Sequence, residues 1–120
     1  MNEYTTALLQ IVSTKISDTE LTKGIGLRNH ARKQPEPPEA YYCFETATIC
    51  DSSSINDHIQ KLDGLLSSSK PFIIDRVAEG DQATLLWFPA KDSGQFSILT
   101  PRSMRTLSNY CISFLTPSGQ

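Results

Sequence analysis

The stretch SINDHIQKLDGLL, residues 54–66, carries the most regular structural pattern in the chain. Ser54 is a residue type that caps helix N-termini, because its hydroxyl accepts a hydrogen bond from a backbone N–H of the first turn. The residues that follow place apolar side chains at the spacing of one helical face, with Leu65 widening the stripe: Ile55, Ile59, Leu62 and Leu66. The opposite side carries Asp57, Gln60, Lys61 and Gly64. This pattern predicts an amphipathic helix that buries one face against a core.

Downstream of this helix, the pattern predicts a short helix, two strands, a further helix and a closing strand. Ser67 to Lys70 ends the first helix, and Pro71 begins the next because its fixed φ suits the first helical position. Ala83 to Phe88 is a continuous apolar run, which favours a central strand. The remaining predictions are a turn at Asp92–Gly94, a strand at Phe96–Leu99, a helix from Thr100–Pro101 to Asn109 with Met104, Leu107 and Ser108 facing inward, and a strand at Tyr110–Leu115.

Upstream of the same helix, two strands enclose a helix and a charged loop. Ser17 and Glu20 form a capping-box pattern, in which each side chain accepts a hydrogen bond from the other residue's backbone N–H. The three prolines between residues 28 and 40 fix the backbone and remove donors, so this segment is predicted to be an exposed loop. The predicted elements are a strand at Tyr4–Thr14, a helix from Ser17 to about Lys23 that Gly24 and Gly26 terminate, and a strand at Tyr41–Cys50.

The order of these elements predicts one α+β domain over residues 1–120. Because strands and helices alternate, we expect a single mixed or antiparallel sheet with about three helices packed mainly on one face. The arrangement is ferredoxin-like in general character. Residues 28–40 form the exposed loop of this picture, and residues 116–120 form a frayed tail.

The formal net charge of −2 is unevenly distributed along the chain. Residues 45–81 hold seven acidic and three basic groups, so this central third carries −4. An acidic centre argues against general nucleic-acid binding, which needs a basic face, and favours docking to a basic protein partner. The candidate partner-binding residues are Asp57, Asp63, Asp75, Glu79 and Asp81.

A basic segment at residues 28–33 supports a competing interpretation. Arg28, Arg32 and Lys33 are able to contact phosphates, and Tyr41 or Tyr42 to stack on a base. Glu36 and Glu39 follow at once and lower the local charge. The alternative function is therefore a regulatory or nucleic-acid-contacting domain that acts through this loop.

The sequence offers no recognisable catalytic or metal-binding motif. His30 and His58 lack zinc-ligand spacing, and His58 borders the apolar stripe as a core-edge residue would. The cysteines, Cys43, Cys50 and Cys111, are expected to be reduced, buried thiols, without a bridge between Cys43 and Cys50. Since residues 1–6 resemble no signal peptide and no apolar run is long enough for a membrane span, we expect a cytoplasmic, non-enzymatic protein without cofactor.

Several of these segments together resemble a bacterial family of small domains of unknown function, many of them encoded in settings typical of toxin-immunity proteins. The resemblance is one of spacing and covers most of the chain, but tyrosines replace a tryptophan that the family often shows on its second strand. It implies an α+β fold and a binding role, in which the chain neutralises a cognate toxin such as a nuclease, and it implies no catalytic residues. The segments that carry it are Ser17–Leu21 with Gly26 and Leu27, Tyr41–Glu45, Ile55–Leu62, Ser93–Gly94, Leu99–Pro101 and Leu107.

Overall fold

Four strands form one mixed sheet in the computed structural model, which describes residues 6–31, 39–88 and 98–116. The strand order is β2-β1-β3-β4; β1 is antiparallel to both β2 and β3, and β3 is parallel to β4. The α+β class with a single mixed sheet is therefore confirmed. The elements are β1 (Thr6–Ser13), α1 (Asp18–Ile25), β2 (Ala40–Glu45), α2 (Ile55–Leu66), α3 (Lys70–Ala78), β3 (Gln82–Phe88), α4 (Pro101–Asn109) and β4 (Ser113–Leu115).

The core lies between one face of the sheet and the helices. Residues at alternate positions of β1 are buried, and Leu9 sits between Phe44 of β2 and Leu85 of β3. Their neighbours on the other face, such as Leu8 and Val12, are only half-buried. This alternation is what a sheet covered by helices on one side requires.

Helix α1 begins at the predicted capping box and ends two residues later than expected. Glu20 N donates to Ser17 Oγ over 3.1 Å, and Ser17 N donates to Glu20 Oε1 over 3.0 Å. Gly24 does not end the helix but lies inside it, and the ring of Phe72 packs so closely that a Cβ at this position would meet it at 2.3 Å. Gly26, with φ of 84°, ends the helix in the left-handed region.

Helix α2 confirms the predicted stripe with two changes. Ile55, Ile59, Leu62 and Leu66 are buried, whereas Leu65 is 43% exposed and does not widen the stripe. The stripe is widened instead by His58, which is fully buried rather than at the edge of the core. After a 3-10 turn at Ser67–Ser69, α3 begins with Pro in its first turn, as predicted.

Helix α4 keeps its predicted bounds, but its buried face differs. Thr100 caps it by accepting from Ser103 N over 3.1 Å. Leu107 is buried as predicted, and its i−4 neighbour Ser103 is buried beside it. Met104 is 50% exposed and Ser108 is also exposed, so the prediction that both face inward was wrong. The buried face of α4 therefore runs through the polar residue Ser103, so the positions of the apolar residues alone do not identify which face is buried.

Three strands differ from their predicted bounds. Strand β1 ends at Ser13 instead of Thr14, and residues 4–5 of its prediction lie outside the described residues. Strand β2 stops at Glu45 because residues 46–48 form a 3-10 turn, and β4 starts at Ser113 because Tyr110 and Cys111 turn the chain, with Cys111 at φ 61°. The predicted turn at Asp92–Gly94 and residues 96–97 of the predicted strand lie outside the described residues, while Ile98 and Leu99 are not in a strand. Of the predicted tail, residues 117–120 also lie outside them.

Candidate partner-binding site

Three of the five predicted acidic residues are exposed. Asp57 lies in the first turn of α2, Asp75 lies in α3, and Glu79 follows the end of α3. Asp63 is half-buried, and its Oδ1 accepts a hydrogen bond from the Tyr110 hydroxyl over 2.8 Å. Burial and then this bond raise the pKa of Tyr110 further above its ordinary value, at which the hydroxyl is already a donor at neutral pH. Asp57, Asp75 and Glu79 are therefore the accessible members of the set.

Asp81 does not belong to an accessible surface, which corrects its inclusion among the candidates. Its side chain is 1% exposed, and its Oδ2 lies 3.2 Å from Nη1 of Arg76. A buried carboxylate needs such a partner, because an unpaired charge in the interior is too costly. The pair joins α3 to the start of β3 instead of facing a partner.

The other carboxylates of the central third make no ion pair within 4.0 Å in the described parts of the chain, although Lys61 lines a cleft with Asp57 and Lys15 Nζ donates to the backbone carbonyl of Glu79. Arg76–Asp81 is the one ion pair within 4.0 Å among those residues. Of the remaining central bases, Lys70 lies over the ring of Tyr110, 5.1 Å from its centroid, and Lys61 is exposed. The acidic excess of this region therefore remains available at the surface.

A cleft of about 690 Å³ opens between residues 47–52 and the exposed side of α2. Its lining includes the exposed carboxylates of Asp51 and Asp57 and the ammonium of Lys61. Ser52 Oγ donates to Asp57 Oδ2 over 2.6 Å, which holds one carboxylate in place. Asp51 was not a sequence candidate, since only folding brings the segment that precedes α2 against the helix.

His58 holds the two walls of this cleft together from below. Its Nε2 lies 2.6 Å from the carbonyl oxygen of Ser52, and its Nδ1 lies 2.6 Å from Oγ1 of Thr46. A carbonyl oxygen can only accept, so Nε2 carries a proton. Thr46 Oγ1 in turn accepts from Ala7 N over 2.7 Å. The cleft is thereby anchored to β1 in the centre of the sheet.

The predicted acidic residues do not form one patch. Asp75 lines a different cleft, of about 460 Å³, between α1 and α3, together with Glu20 and Lys23. The two clefts share no lining residue. Asp57 and Asp75 thus face different surfaces, although they come from the same acidic stretch of sequence.

The basic segment is placed only in part. Arg28 is exposed, whereas Arg32 and Lys33 lie outside the described residues. Tyr42 is buried, and its hydroxyl donates to Leu27 O over 3.0 Å, so it is not accessible for stacking on a base. Tyr41 is half-buried. Nucleic-acid contact through this loop stays a prediction.

All three cysteines are free, and none is fully buried. Cys43 lies half-buried on the sheet face away from the helices, and burial followed by the charge of Glu45 raises its pKa. Cys50 is half-buried in the wall of the first cleft, and Cys111 is exposed. The expected absence of a Cys43–Cys50 bridge is confirmed, but the expectation of buried thiols was wrong, because β2 ends before Cys50 and Cys111 lies in a surface turn.

Within residues 6–31, 39–88 and 98–116, no three His, Cys, Asp or Glu side chains are grouped to share a metal ion. None of the described helices combines the length and apolar character needed to cross a membrane. Comparison of the chain with protein-family models, curated proteins and solved structures found no match.

Proposed function

We propose that this chain is a non-catalytic cytoplasmic binding protein of the immunity type, which neutralises a cognate toxin by occluding its working surface. The observation that carries the proposal is the set of exposed carboxylates in the central third that make no ion pair within 4.0 Å among the described residues. The resemblance to small domains encoded beside toxins supports the same function.

A nuclease is the toxin class that such a surface fits best. An enzyme that binds nucleic acid needs a basic cleft, because it must neutralise backbone phosphates. An acidic surface competes for the same cations, and opposite charges accelerate the encounter of the two proteins. The proposal therefore includes fast association that slows as salt is added.

Within this surface, we assign the main contact to the cleft that Asp51 and Asp57 flank. Its walls are already fixed by the hydrogen bonds of His58 and of Ser52. A preformed cleft loses little conformational freedom when a partner docks, which leaves more of the interaction energy for affinity. A basic side chain of the partner, placed between the two carboxylates, is the complementary group.

The test is co-expression of the full chain with the protein encoded directly upstream, followed by purification through a tag on that neighbour. We expect the two proteins to copurify at low salt and the neighbour's toxicity to be suppressed. Separate elution at low salt, with toxicity unchanged, would remove the main support for the immunity function.

A further inference from the structure

The outer edge of β2 is covered by side chains rather than by another strand. Strand β2 pairs with β1 on one side only. On its other side, Asn29 Nδ2 donates to Tyr41 O over 3.0 Å, and Cys43 N donates to Asn29 Oδ1 over 3.1 Å. The backbone N–H of His30 donates to Cys43 O over 2.7 Å. Two residues thus satisfy backbone groups that an edge strand otherwise leaves open.

The fourth bond on this edge depends on the protonation of a histidine. Glu45 N donates to Nδ1 of His30 over 2.9 Å. Because a backbone N–H can only donate, Nδ1 must be the unprotonated nitrogen and the ring must be neutral. The ring also stacks on Phe44, with centroids 5.0 Å apart and an interplanar angle of 20°. An imidazolium carries N–H groups at both nitrogens, so it has no lone pair to offer Glu45.

We propose that His30 is an acid-sensitive latch on the edge of β2. Protonation replaces its acceptor with a donor, removes the bond from Glu45 N–H and frees this end of the edge. Histidine is the side chain whose charge ordinarily changes in the range from about pH 5 to 8, so mild acidification is the trigger.

Charged groups lie on the described segments around His30. Strand β2 and its approach carry Glu45 and Glu39. Helix α1 carries Asp18 and Lys23, which line a groove together with Asn29 and Ala31. Arg28 lies on the same segment as His30.

Amide hydrogen exchange of the full chain, measured by NMR between about pH 8 and pH 5 and corrected for the intrinsic rate, tests the latch. We expect the protection of the Glu45 amide to fall by about tenfold or more on acidification, since a hydrogen bond is worth on the order of one such factor. The Cys43 amide, which donates to Asn29, should lose much less protection.

Two variants separate the latch from a general effect of pH. His30→Asn places an amide oxygen where Nδ1 lies and does not titrate, so its Glu45 amide should stay protected throughout. His30→Ala should lose that protection at both ends of the range. Any acid effect that persists in His30→Asn does not come from His30. Protection at Glu45 that is independent of pH in the parent chain, or equally pH-dependent in His30→Asn, overturns the proposal.

Discussion

His58 Nε2 lies 2.6 Å from the carbonyl oxygen of Ser52, and this contact fixes the loop wall of the acidic cleft to helix α2. The same ring reaches Thr46 through Nδ1 and packs edge-on against Trp87, with centroids 5.2 Å apart. One buried histidine therefore joins the cleft, the helix and the sheet.

We expect His58→Ala to destabilise the chain by about 2–4 kcal/mol, because it opens a cavity and leaves buried polar groups without partners. Urea unfolding followed by far-UV circular dichroism measures the change. His30→Ala is the control, since His30 is half-buried and its loss should cost about 1 kcal/mol. Equal losses for the two variants would contradict the anchoring role of His58.

Gly24→Ala should destabilise the chain by about 1–3 kcal/mol, although alanine is the better helix former. The added Cβ would lie 2.3 Å from the Phe72 ring, so this ring would have to move away from α1 and lose its present packing. Gly64→Ala is the matched control: it lies in α2 with nothing within 4 Å of the added atom. That change should stabilise the chain by about 0.5–1 kcal/mol. Thermal unfolding that shifts in the same direction for both variants would show that α1 does not pack as described.

Leu62→Ala should cost about 2–5 kcal/mol, because Leu62 is 4% exposed in the centre of the α2 stripe. The same substitution at Leu65, which is 43% exposed, should change the free energy of unfolding by about 0.5 kcal/mol or less. Gln60→Ala, also away from the stripe, is expected to behave like Leu65→Ala. Denaturant titrations of the three variants show which face of α2 is buried. A larger loss of stability for Leu65→Ala than for Leu62→Ala would contradict the assignment of Leu62 to the buried face.

Asp51→Asn with Asp57→Asn should slow association with the proposed partner and flatten its salt dependence. The asparagine at 57 keeps an acceptor for Ser52 Oγ, so the charge changes while the helix start is preserved. Asp75→Asn with Glu79→Gln removes the same charge from outside this cleft and is the control. Stopped-flow rates at several salt concentrations compare the pairs. Equal slowing by both pairs would show that association depends on net charge and not on this cleft. Slowing by the control pair alone would place the contact at the cleft between α1 and α3.

All three thiols should titrate in the denatured, unreduced chain, because none is in a disulfide. In the folded chain we expect Cys111 to react before Cys43, since Cys111 is exposed and burial raises the pKa of Cys43. Raising the pH should speed the reaction of Cys43 by increasing its thiolate fraction. Timed thiol labelling with mass spectrometry assigns each site, and a single titratable thiol in the denatured chain would reveal a bridge.

Much of the local structure was predictable because its causes lie within a few residues. The Ser17–Glu20 capping box, the Ser54 and Thr100 caps and the apolar stripe of α2 all depend on neighbours within one or two turns. The errors arose where a distant contact sets the burial. Ser103 is buried in place of Met104, and Gly24 lies inside α1 with the ring of Phe72 packed where a Cβ would be.

The sequence by itself determined the fold class, most helix bounds and the acidic excess of the central third, because each follows from composition or short-range periodicity. Which charges are exposed, and which groups each histidine contacts, depend instead on how distant segments pack together. Asp81 is buried against Arg76, while Asp51 joins Asp57 at a cleft. His58 and His30 find their partners on other elements, as Thr46 finds Ala7 at a separation of 39 residues. Such contacts depend on how strands and helices are arranged in space, and that arrangement cannot be inferred from the type of a residue and its near neighbours.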